Sequence, residues 1–191
     1  MTDLALDPLF HLLFRLGFAA LWGIAVAEKV ASWPRFLDTL RAYQVVQPAH
    51  VVPVAAVVVG LEAALAVALL IAPAAPHAAV ASAGLLAVYA ALINRELRAH
   101  RADHACGCLG RAGEGRLHAG LAVRNLVLGA LVLLVALPVA PRPWSWMDTL
   151  TVCLGLPVLV LLYGALDALL ALPWSRGGEP SLRSPVESEP R

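Results

Sequence analysis

The residues of this chain best suited to chemistry are Cys106 and Cys108, separated by Gly107 in the stretch Asp103-His104-Ala105-Cys106-Gly107-Cys108-Leu109-Gly110. Two thiols one glycine apart can close on each other, exchange with a second disulfide, or hold a soft metal. His104, Arg101 and Arg111 beside them favour the thiolate that each of these reactions needs. Gly107 relieves the backbone around a tight ring, and a strained disulfide exchanges more readily than a structural one. His104 and His118 could join the two thiols in a zinc or copper site, although the spacing lacks the paired Cys-x-x-Cys of strong zinc motifs. The plain alternative is an unreactive pair of small loop residues. A second chemical group, Glu62, lies in the middle of an apolar run. There it reads either as a neutral or ion-paired structural carboxyl, within reach of Arg15, or as a point of proton or quinone contact.

The chain around these groups is a membrane frame. Of its 191 residues 60% are hydrophobic and 14% charged, and the mean hydropathy is +0.77. That is too apolar for an ordinary soluble domain. Five apolar runs read as membrane spans, about 9–27, 51–72, 78–93, 120–137 and 150–172; the third is short by itself, though Arg95 and Arg98 can snorkel from a longer helix. Trp33, Phe36, Leu37, Leu40 and Tyr43 recur at helical spacing behind Ser32, a candidate N-cap, which predicts a short helix lying along the interface. Pro73 and Pro76 mark a short turn and hence an antiparallel hairpin of the second and third spans. Ala56, Gly60, Ala64, Ala68 and Ala72 form a row of small residues, which predicts a close helix neighbour on that side and a central place for the second span. Cys153 reads as a small buried hydrophobe, and His11, His50 and His77 as polar residues near span ends. The tail, 173–191, has the composition of a disordered segment.

The fold expected is all-α and integral to the membrane, with a four-helix core over about 9–137 and a fifth transmembrane helix packed outside. Lys and Arg outside the spans divide eleven to one, Arg142 alone standing on the minority side, so the cysteine loop is expected at the cytoplasmic face. The net charge of +1 gives no sign of nucleic-acid binding.

Glu28-Lys29 closing the first span, Glu62 in the second, Cys106-Gly-Cys108-Leu-Gly110 after the third and Arg124-Asn125 at the start of the fourth together resemble the MauE, or methylamine-utilisation, branch of the DoxX-like membrane proteins. The resemblance covers roughly residues 10–137. It implies a four-helix DoxX-like bundle with a redox-associated role in a bacterial inner membrane. The role would be to assist a thioredoxin-like protein in disulfide formation or in maturing an exported enzyme, the methylamine dehydrogenase small subunit in the namesake pathway. On that reading Cys106 and Cys108 exchange electrons as a thiol–disulfide oxidoreductase would, His104 and Arg124 support the thiolate, and a quinone is a candidate acceptor. The alternative is a metal-binding or assembly factor built on Cys106, Cys108, His104 and His118.

Overall fold

The structure, a computed structural model, describes residues 5–99 and 119–171. Helix α1 runs Pro8–Ala31. Asp7 caps it by accepting the Leu9 N–H at 2.8 Å, and Pro8 fills the first turn, where a missing amide hydrogen costs nothing. Helix α2, Trp33–Ala42, is the short amphipathic element that the spacing predicts. It buries Phe36 and leaves Arg35, Asp38 and Arg41 outward. Ser32 holds the cap position, but its hydroxyl makes no capping bond. A 3-10 turn at Pro48–His50 leads into α3, Val51–Leu70, and a four-residue turn then leads into α4, Ala75–Arg98. The third span is therefore longer than its apolar run of 78–93, because Arg95, Glu96 and Arg98 continue the helix beyond the apolar stretch. Helix α5, Ala119–Val132, tightens into a 3-10 turn at Leu133–Ala136 ahead of Pro138, and α6 spans Trp146–Ala171. Five of these segments are long and apolar enough to cross a membrane.

Helix α1 packs against α3, α3 against α4, and α4 most extensively against α5. Gly129 lies at that last contact, where a β-carbon would stand 3.6 Å from the Ala83 carbonyl oxygen, an ordinary van der Waals distance. The shared core is Phe18, Leu21, Trp22, Leu65, Leu69, Leu86, Val132 and Val135. Within it the Trp22 indole donates to the Ser82 hydroxyl at 3.0 Å, so the one polar atom of each side chain is satisfied. Helix α6 rests on α1, and only Asp148 and Asp167 among its described side chains are buried.

Three expectations from the sequence change here. Ala56, Gly60 and Ala64 are exposed, with nothing within 4 Å of a β-carbon placed at Gly60, so α3 lies at the edge of the bundle and presents its small residues outward. Its buried side instead carries Ala55, Glu62, Leu65 and Leu69. Cys153 is exposed on α6, whose loose seating leaves that face without a protein neighbour. Arg15 does not reach Glu62. Its guanidinium donates to the Leu69 and Leu70 carbonyls at 3.0 and 2.9 Å, satisfying two of the orphan acceptors at the end of α3. Glu62 lies seven residues deeper, about 10 Å along the helix.

At the opposite end of the bundle from α2, the chain before α1 is clasped to the α5–α6 connection. Leu6 donates to Pro138 O and accepts from Ala140 N, both at 2.8 Å. Arg142 joins Asp7 and Asp148 at 2.7 Å each. Its guanidinium, with help from the Leu9 amide, holds the Asp7 carboxyl below its ordinary value of 3.8. A carboxylate with a lowered folded pKa stabilises the fold above its unfolded value, and that contribution is lost as pH falls through the folded one. The stability advantage of wild type over Asp7→Asn should therefore be full at pH 6 and shrink below about pH 4. Melting temperatures of both proteins in detergent across that range would check it.

Candidate functional site

The deepest polar group of the bundle is built from three helices. On α1, Trp22, Ala25 and Lys29 share one face at spacings of three and four residues, so the packing that buries Trp22 also carries Lys29 inward. On α3, Glu62 shares its face with Leu65 and Leu69. On α4, Ser82, Leu86, Tyr89 and Ile93 form the buried stripe. The three polar ends meet. Lys29 Nζ donates to both carboxylate oxygens of Glu62, at 2.8 and 3.0 Å, and the Tyr89 hydroxyl donates to Glu62 Oε1 at 2.6 Å. Glu62 is 0% exposed and Lys29 5%. Two rings enclose the ammonium: Phe36 of α2 at 5.6 Å and Tyr89 at 5.9 Å. These are cation–π distances, at which the ring faces offset a small part of the hydration that the ammonium loses.

In a low-dielectric interior an isolated carboxylate or ammonium is far too costly, whereas a pair with both oxygens engaged is tolerated. Glu62 therefore has the ion pair that its position demands, and the partner is Lys29. The Tyr89 hydroxyl, bonded to Oε1, is placed to hand a proton to Glu62 while the Lys29 contact to Oε2 stays in place.

A second buried pair joins α5 to α6. Arg124 is ion-paired to Asp167, and the Tyr163 ring lies 5.8 Å from its guanidinium carbon. Asn125, beside it, is 0% exposed. His11 bonds the Val135 carbonyl at 3.1 Å, while His50 and His77 stand at the starts of α3 and α4. Cys106, Cys108, His104 and His118 lie outside the described residues, in the connection between α4 and α5.

Reading the sequence alone misses Lys29, Tyr89 and Asp167 as partners. Lys29 was countable as a loop cation because it closes the apolar run. The available signal was its spacing of seven from Trp22, two helical turns, which places both on one face. Tyr89 stands seven residues after Ser82 by the same rule.

The fold and site thus define a multi-pass, all-α membrane protein organised around a buried Lys–Glu–Tyr cluster. A family model described as "Methylamine utilisation protein MauE" matches residues 7–138, a stretch that holds Lys29, Glu62, Tyr89, Arg124, Asn125 and both loop cysteines and ends before α6. The "Methylamine utilization protein MauE" of Paracoccus denitrificans is 34% identical over 136 residues, covering 71% of this chain and 73% of that relative. This chain belongs to the MauE family. No solved structure matches it.

Removing one member of a buried ion pair strands the other, at a cost of about 3–5 kcal/mol, whereas replacing both by apolar residues is often neutral. Lys29→Met and Glu62→Leu should each destabilise by that order, and the double variant should be more stable than either. Reversible unfolding in mixed detergent micelles measures all three.

Proposed function

We propose that this chain is a membrane-embedded thiol–disulfide relay in which Cys106 and Cys108 exchange with a thioredoxin-like partner, in support of maturing an exported enzyme. The observation that carries the reading is the Cys-Gly-Cys segment itself, borne between α4 and α5, the most extensively packed helices of the bundle, and inside the stretch that the MauE family matches. The names of the family and of the Paracoccus denitrificans relative point to methylamine utilisation as the setting.

The exchange conserves atoms and electrons. One thiolate attacks a sulfur of the partner's disulfide, the partner's other sulfur leaves as a thiolate, and a mixed disulfide forms. The second loop cysteine then attacks the loop sulfur of that bond. The loop ends as a disulfide and the partner as a dithiol, with two electrons transferred; the reverse direction uses the same steps. His104 and the neighbouring arginines favour the attacking thiolate. For Glu62 a proton role fits better than a quinone contact. Its carboxylate has no exposed surface, and a quinone ring would have to displace Lys29 or Tyr89 to touch it.

Sidedness decides which pool the thiols meet. With Lys29 inside the bundle the cation division becomes ten to one, and it still favours a cytoplasmic loop. A cytoplasmic pair faces a reducing pool and would deliver reductant; an outward pair would pass oxidising equivalents to exported proteins.

Replacing either cysteine singly by serine should accumulate a mixed disulfide with a thioredoxin-like protein in one of the two variants, seen as a reducible band on gels. Stoichiometric zinc or copper in the purified protein, lost on the same substitutions, would instead support a metal site. In a Cys153→Ser background, an impermeant thiol reagent on intact cells should leave Cys106 and Cys108 unlabelled until lysis. Labelling before lysis would place the loop outside.

A further inference from the structure

Asn125 is completely buried on α5, and among the described residues neither its amide oxygen nor its amide nitrogen has a hydrogen-bond partner. Glu96, in the last turn of α4 and 1% exposed, leaves its Oε2 in the same condition. An amide can make about four hydrogen bonds, and buried polar groups in folded proteins are matched by protein or by internal water. Each of these groups, on facing helices, calls for a polar partner of its own, and internal water suits an amide and a carboxyl alike.

The helix register connects these groups to the Lys29–Glu62 pair. Gly129 faces Ala83 and Leu86 across the α4–α5 contact. The two helices run antiparallel, so Asn125, one turn earlier on α5, falls opposite about residues 87–90 of α4, the level of Tyr89. Glu96 lies seven residues beyond Tyr89, two turns along the same face and about 10 Å nearer the cysteine-bearing connection. Between them on that face stands Ile93, fully buried against Leu121 and Ala122 of α5. The order along α4 is thus a hydroxyl bonded to Glu62, one apolar layer, and a buried carboxyl at the helix end.

We propose that Asn125, Tyr89 and Glu96 line a hydrated proton route between Glu62 and the end of the bundle that carries the cysteine loop, gated by Ile93. A proton entering at Glu96 passes through water to the Tyr89 oxygen, and the hydroxyl proton already there moves across the 2.6 Å bond to Glu62 Oε1. Tyr89 ends unchanged and Glu62 becomes neutral opposite a charged Lys29, a short-lived state because the buried ammonium has lost its counter-charge and the proton returns by the same path. An apolar layer one residue thick slows such a path by excluding water until the side chain rotates. This deepens the proton role proposed for Glu62 and does not depend on the cysteines.

The test is hydroxyl exchange at Tyr89. Protein carrying Cys106→Ser and Cys108→Ser, which removes thiol chemistry, is placed in nanodiscs and transferred to D2O. The infrared ring mode that shifts when the Tyr89 hydroxyl takes deuterium is followed in time, with Tyr89→Phe assigning it. Asn125→Leu and Glu96→Leu should each slow the exchange at least about tenfold, and Ile93→Ser should quicken it by a similar factor. Exchange at the Trp22 indole, bonded to Ser82 two turns away on α4, should not change. Equal rates in wild type and the two leucine variants, or parallel changes at Tyr89 and Trp22, would overturn the route. Asn125→Leu removes two buried polar atoms without adding charge, so it tests the proposal even if Glu96→Leu fails to fold. Failure here leaves mixed-disulfide trapping untouched, and failure of trapping leaves this result standing.

Discussion

The bundle depends on the need of a mid-membrane carboxylate for a counter-charge. Glu62 can be neither hydrated nor moved to a headgroup, since it sits near the centre of α3 with apolar residues for more than a turn on both sides. Satisfying it draws Lys29 inward from the end of α1 and sets the rotation of α4 that aims Tyr89 at the same oxygen. Once those three faces are fixed, the apolar residues beside them must pack together. Trp22 meets Ser82, and Leu65 and Leu69 meet the face of α1. Apolar burial supplies little directional preference between helices in lipid, so the ion pair is what selects this rotation of each helix over others equally greasy.

The second pair has a different reach. Arg124 belongs to the four-span stretch matched by the family, while its partner Asp167 lies beyond it on α6. Helix α6 otherwise rests on α1 with most of its described side chains exposed, and it is tied at one end by Asp167 and at the other by Asp148 through Arg142. Two charged anchors at opposite ends hold an apolar helix that packing alone would secure weakly.

Much of this was legible in the residues. The five apolar runs gave five helices, the prolines at 73 and 76 gave the hairpin, and the amphipathic spacing from Trp33 gave α2. Glu62 stood out because a charge inside an apolar run is rarely accidental. Its partner was not legible from depth alone. Arg15 and Glu62 appeared close enough along their helices, but depth is one coordinate and the rotation of each helix is another. Arg15 found the carbonyls at the end of α3, a group of acceptors that no side-chain inventory displays. The small-residue row on α3 misled for a similar reason: a smooth face permits a close neighbour without requiring one, and the buried carboxylate turned the opposite face inward. Cys153 followed the same logic, since an apolar run shows that a residue is out of water and not whether protein or lipid covers it.

The central claim is that Lys29, and not Arg15, neutralises Glu62 inside the bundle. Solid-state NMR on protein in lipid bilayers, with 15N-labelled lysine and 13C-labelled glutamate side chains, measures it directly. Lys29 is the chain's single lysine, so its side-chain nitrogen gives one unambiguous signal. A strong dipolar contact should link that nitrogen to one glutamate carboxyl carbon, as expected for Nζ within 2.8 and 3.0 Å of both oxygens, and should vanish in Glu62→Gln. A lysine nitrogen with no carboxyl contact, or a contact that survives Glu62→Gln, would contradict the account.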